Sequence, residues 1–193
     1  MSQKNFLARY IIFIFFFVCL FVISNGAQNY SLKEVQKVLK AIEKISTEQF
    51  RQDKNTLKKI MITESELNSY IAYRIETEKE EIMRELRLKL FPENMIEGKI
   101  LIDLTGQKIP KFLRPRMTFF LGGNVEVQDG KVKLVVKKLF LEGQPIQPMI
   151  LDLIIYIAAR IENTEVSSIN DWHDLPYGIK DIETQKGKAI FYY

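Results

Sequence analysis

The feature that most constrains this chain is a change of hydrophobic period. Between residues 32 and 75 apolar residues recur at spacings of three and four, whereas from Leu86 onward they recur at every second position. The first spacing gathers side chains on one face of a helix, the second on one face of a strand. Leu86, Leu88 and Leu90 alternate with Arg87 and Lys89 and stop at Phe91-Pro92. Ile96, Gly98, Ile100, Ile102 and Leu104 share one face of a second strand, and Met117, Phe119, Leu121, Gly123, Val125 and Val127 line a long third. Asp129-Gly130 is a type I′ turn signal, beyond which Val132, Leu134 and Val136 alternate with Lys131, Lys133, Val135 and Lys137. A two-residue turn cannot join parallel strands, so the pattern predicts an antiparallel meander.

The helical part carries two readable starts. Ser31 and Glu34 form a capping-box pattern, with Tyr30 and Val35 placed as a hydrophobic staple. Leu32, Val35, Val38, Leu39, Ile42 and Ile45 then make an apolar stripe. The same arrangement returns at Thr63-Glu64-Ser65-Glu66, with Ile62 and Leu67 as the staple and Leu67, Tyr70, Ile71 and Ile75 as the stripe. Two amphipathic helices are expected, and the charged stretch 76–85 is expected to continue the second as a solvated face.

After Gly143 the texture changes again. Met149 to Ala159 is apolar except for Asp152. A helix apolar nearly all round must be buried nearly all round, and this one is too short to span a bilayer. The strands are therefore expected to wrap it. A last hairpin, 179–184 with 188–193, turns at Gln185-Lys186-Gly187. The resulting fold class is α+β: a curved antiparallel sheet wrapped around a buried apolar helix, preceded by two amphipathic N-terminal helices.

The N-terminus bounds the location. Lys4 and Arg9 precede an uncharged run, residues 10–23, that ends in Ser24-Asn25-Gly26-Ala27. This is the layout of an export signal, residues 1–26, followed by a helix and linker, 27–61, and a domain over 62–193. The expected location is the periplasm, with the signal either cleaved or kept as an inner-membrane anchor. Cys19, the only cysteine, lies in the apolar run behind Phe17-Val18, which is unsuited to lipidation. Cleavage would leave no disulfide and no thiolate, so the fold relies on its apolar core. Without Lys4 and Arg9 the formal net charge falls from +4 to +2, too mild to indicate nucleic acid.

Catalytic groups are scarce, and no enzyme activity, metal or cofactor is expected. His173 is the only histidine, flanked by Asp171 and Asp174 with no second ligand cluster, and reads as solvated or capping. Gly122-Gly123 falls inside a strand pattern, where it marks a bulge or bend.

Two features point to binding. Long strands with aliphatic inner faces around an apolar helix either leave an acyl channel or pack into a filled core; Gly98, Gly122 and Gly123 are candidate bending points. The lining residues would be Phe119, Leu121, Val125, Leu134, Val136, Leu153 and Ile157. In the proline-bounded stretch 108–116, Lys108, Lys111, Arg114 and Arg116 interleave with Ile109, Phe112 and Leu113. These cations could address an anionic membrane surface, with Phe112 or Leu113 entering the interface, or the apolar residues could tuck under the domain.

The 62–70 segment, the Asp129-Gly130 hairpin, the Leu-rich helix after Gly143 and the ending from Leu175-Pro176-Tyr177-Gly178-Ile179 to Gly187-Lys188-Ala189-Ile190 resemble bacterial exported proteins of the tubular lipid-binding (TULIP-like) type. The resemblance covers residues 62–193 and is one of order and texture. It implies a curved antiparallel sheet holding an acyl chain against a helix. The expected function is non-enzymatic binding, shielding or transfer of a lipid in the periplasm or cell envelope. The alternative is an envelope adaptor with a filled core, docking a protein partner through the charged stretch 76–85.

Overall fold

A computed structural model of the protein describes residues 30–49, 57–78, 82–111, 113–161 and 168–193. The expected export signal lies outside the described residues.

Helix α1, Leu32–Gln49, buries Val35, Val38, Ala41, Ile42 and Ile45, the stripe that its spacing dictates. At its start the Ser31 hydroxyl accepts from the Glu34 amide at 3.4 Å. The reciprocal half of the expected box is replaced by a contact between helices. The Glu34 carboxylate accepts from the hydroxyls of Ser65, at 2.8 Å, and Ser69, at 2.6 Å, both on helix α2, Glu64–Thr77. Lys37 adds a 2.9 Å ion pair to Glu66. α2 itself starts on a complete capping box. Thr63 accepts from the Glu66 amide at 3.2 Å, and Glu66 accepts from the Thr63 amide at 2.9 Å.

α2 ends at Thr77, capped by Glu78. The expected continuation of a charged helix over 76–85 is therefore wrong, because strand β2, Met83–Leu90, has already begun and Glu85 lies on it. Ile82 and Met83 are buried, and bringing them into the core requires the chain to leave the helix axis.

Strands β2, β3 (Met95–Asp103), β4 (Arg116–Gln128) and β5 (Lys131–Leu141) form the meander. It is a strongly curved antiparallel half-barrel. Asp129 and Gly130 both take positive φ, 51° and 71°, in the expected I′ turn. Glu142 and Gly143 repeat that geometry and return a two-residue strand β6, Gln144–Pro145, onto β5. Helix α3, Pro148–Ile161, follows, and a second short strand, β7 (His173–Asp174), pairs with the opposite end of β5.

Three strands missing from the sequence reading stand out. β6 and β7 are too short to show a period. β1, Lys59–Thr63, contains Ile62 of the expected helix staple, and the expected boundary at residues 61/62 falls inside it. β1 pairs with β9 (Lys188–Tyr192), which pairs with β8 (Asp181–Gln185), so the closing hairpin belongs to a separate three-stranded sheet. That sheet is fixed to the β2–β3 turn by Thr184, whose amide donates to Asn94 Oδ1 at 2.8 Å and whose hydroxyl donates to the Phe91 carbonyl at 2.6 Å. One hydrophobic core joins α1, α2, α3 and the inner faces of both sheets.

Candidate functional site

The inner face of the half-barrel is a grid of apolar rows set by strand register. Leu86, Ile100, Phe119 and Leu141 lie side by side across β2 to β5. The next row is Leu88, Gly98, Leu121 and Leu139, and the third is Leu90, Ile96, Gly123 and Val136. Val125 and Leu134 pair beyond them.

Two glycines shape this grid in different ways. A Cβ at Gly98 would lie 3.3 Å from Leu121 Cδ1 and 3.5 Å from Leu88 Cδ2, so its neighbours fill the space it leaves. A Cβ at Gly123 would lie 2.3 Å from the Val135 carbonyl oxygen. Here the register shifts: Gly122 faces Lys138 while Gly123 faces Val136, leaving Lys137 as the extra residue of a β-bulge. The bulge reverses which positions of β5 point inward. Before it these are Val132, Leu134 and Val136; after it, Leu139 and Leu141.

Of the expected lining residues, Phe119, Leu121, Val125 and Leu134 are buried on this face. Val136 is half-buried against the same core, as is Ile157 on α3, while Leu153 is half-exposed. α3 departs from the expectation of burial all round. Leu151, Ile154, Ile155, Ala158 and Ala159 enter the core, but Met149 is 72% exposed and Tyr156 43%. The helix is apolar on more of its circumference than the sheet covers. Asp152, the one charge in the run, accepts from the Ser168 hydroxyl at 3.0 Å and the Ile169 amide at 3.3 Å, tying α3 to the turn before β7. Its tertiary partner lies sixteen residues on, so no local pattern marked it.

Burial is uneven across the half-barrel. Ile100, Met117 and Phe119 in the middle are almost sealed, at 3%, 1% and 0% exposure. On β5 the inward Val132, Leu134 and Leu139 are buried too, whereas Val136 and Leu141, with Val127 of β4, are only partly covered, as are Ile146, Ile150 and Ile157 at and in α3. The chain leaves the β5 edge at β6 and returns to it at β7, with α3 between them in sequence.

The basic stretch divides in two. Lys108, Lys111 and Arg114 are exposed, and Phe112 lies outside the described residues. Leu113 is buried and belongs to the core, which corrects its expected role as an insertion residue. Arg116 opens β4 and donates to Asp103 at 3.0 Å. Hydrogen bonds from Thr105, then Arg116, hold the Asp103 carboxyl down at about 2.

His173 is buried, contrary to the expected solvated role, and its Nε2 has no partner among the described residues. Burial pushes its pKa below the ordinary 6.5 despite Asp171, a hydrogen bond to the Ser168 backbone, and Asp174, all of which favour the charged form. Among the described residues no group of three or more His, Cys, Asp or Glu side chains is placed to hold a metal. No helix there is long and apolar enough to cross a membrane.

No protein-family model matches the chain, and none of the curated proteins compared with it is similar.

Proposed function

We propose that this protein is a non-enzymatic carrier of a lipid or other acyl-chain ligand, exported to the periplasm or cell envelope, and that the half-barrel wraps the chain against α3. The observation that carries the reading is a set of apolar residues on the inner face that stay partly uncovered. The middle of the half-barrel is closed by side chains, whereas Val127 of β4 and Val136 and Leu141 of β5 stay partly uncovered, as do Ile150 and Ile157 of α3. An acyl chain laid along that seam would cover apolar surface that neither element covers for the other. Each buried methylene contributes about 0.8 kcal/mol, so eight of them would contribute about 6 kcal/mol. Exposed Lys108, Lys111 and Arg114 would favour an anionic membrane surface as donor or acceptor. The protein-adaptor alternative loses its expected docking helix, since α2 stops at Thr77.

Native mass spectrometry of the purified protein tests this. The expected spectrum carries a bound lipid, and Val136→Glu, a half-buried position, lowers its occupancy several-fold while the melting transition persists. A bare mass, with no acyl species in a solvent extract, overturns the reading.

A further inference from the structure

The edge of β5 carries a slot that no described residue fills. β6 pairs with Phe140 and Leu141, and β7 pairs with Lys131 and Val132, both antiparallel. The Ile146 amide takes the Leu139 carbonyl at 3.0 Å. Between these, residues 133–138 have no strand partner on the side away from β4 among the described residues. At about 3.4 Å per residue the slot is about 20 Å long. The edge already accepts two short strands, so its backbone is competent to pair.

The opposite edge of the sheet is treated differently. There Asn68 of α2 donates to the Leu88 carbonyl at 2.8 Å and accepts from the Leu88 amide at 2.7 Å, and Glu64 accepts from the Leu90 amide at 2.8 Å. Among the described residues, one edge is thus occupied by side chains and the other is left open.

Charge decides the occupant. Lys133, Lys137 and Lys138 line the slot, and none has a carboxylate within ion-pair distance among the described residues. Lys133 sits 5.2 Å above the Trp172 ring at the slot's end. A second copy of this chain would pair antiparallel about Val135 and set Lys133 of each copy opposite Lys137 of the other. Like charges directly opposite each other oppose that pairing. Residues 168–171, just before Trp172, do not fill the slot either: they turn through the Asp171 amide to the Ser168 carbonyl, 3.1 Å, and bury Ile169.

We propose that residues 133–138 accept an extended acidic segment of another protein by strand addition. The lysines that exclude a like-charged strand attract an acidic one. The bulge at Lys137 limits the match to a short segment. This interaction is independent of the lipid reading.

Hydrogen exchange on the full chain tests it, with a capped Glu-Val-Glu-Val-Glu-Val peptide as the probe. In the free protein the outward amides of residues 133–138 should exchange freely; adding the peptide should slow them at least about tenfold. A lysine counterpart, and an acidic peptide with proline at its centre, should leave them unchanged. Lys133→Glu with Lys137→Glu should transfer the effect to the lysine peptide. Should that variant misfold by circular dichroism, the three peptides on the unaltered protein decide the matter. Protection already present in the free chain, equal protection by the proline peptide or by anionic vesicles, or none at saturation would overturn the proposal.

Discussion

Gly122 and Gly123 are adjacent in sequence and opposite in consequence when replaced by alanine. At Gly123 the new methyl would stand 2.3 Å from the Val135 carbonyl oxygen, 3.0 Å from its carbon and 3.1 Å from Val136 Cα. These are backbone atoms of the paired strand, so relief requires β4 and β5 to separate at the bulge. Overpacking that displaces backbone costs up to about 3 kcal/mol. For a domain of this size that lowers the Tm by roughly 6–12 °C. At Gly122 the nearest atoms are Glu97 Cγ and Lys138 Cβ, both at 3.7 Å, an ordinary contact. There alanine also restricts the unfolded chain, which stabilises by about 0.4–1 kcal/mol where the backbone is compatible. Neither glycine has positive φ, so the contrast is purely steric. Thermal unfolding followed by circular dichroism should place the Gly123→Ala midpoint well below the parent and that of Gly122→Ala at or slightly above it. Equal midpoints, or the reverse order, would refute the bulge geometry.

Asn68→Ala should cost about 2–4 kcal/mol in urea unfolding, since both polar groups of Leu88 lose a partner at a half-buried edge. Asn68→Asp should do no better, because an acceptor then faces the Leu88 carbonyl. A variant within 0.5 kcal/mol of the parent, on the order of surface changes, would show the contact to be idle. His173 gives an acid dependence. Burial holds its folded pKa below the ordinary 6.5, so the unfolded chain binds the proton more readily. The stability it contributes is present above about pH 6.5 and declines as pH falls towards the folded pKa. Urea midpoints measured from pH 7.5 to 5 should fall more steeply for the parent than for His173→Leu. Parallel curves would assign the slope to other groups.

Much of the half-barrel was legible because it rests on neighbours in sequence. Alternation in β2 to β5 and the Asp129-Gly130 turn depend on residues two apart, and the Thr63–Glu66 box on residues three apart. Glu34 shows where such reading stops. Its spacing from Ser31 matches that of Glu66 from Thr63, yet two serines more than thirty residues away hold its carboxylate. The stretch 76–85 looked helical because charged residues fit a helix well, but burial of Ile82 and Met83 overrode that propensity. For the site, four of the seven expected lining residues are buried on the inner face. The bulge that brings Leu139 and Leu141 inward was not foreseen, because a parity change in β5 follows from its pairing with Gly122 and Gly123.

By itself, then, the amino-acid order determined the two amphipathic helices and the long strands of the meander, which face of β2, β3 and β4 is apolar, and where two of the chain reversals fall. These follow from backbone sterics and side-chain spacing within a few residues. Only the tertiary structure decided that β1 joins β9, that α3 buries one face and not all, and that one sheet edge is filled by Asn68 and Glu64 while no described residue fills residues 133–138 of the other. Each of those outcomes compares partners that are distant in the chain, and only their packing in three dimensions sets which partner covers which surface.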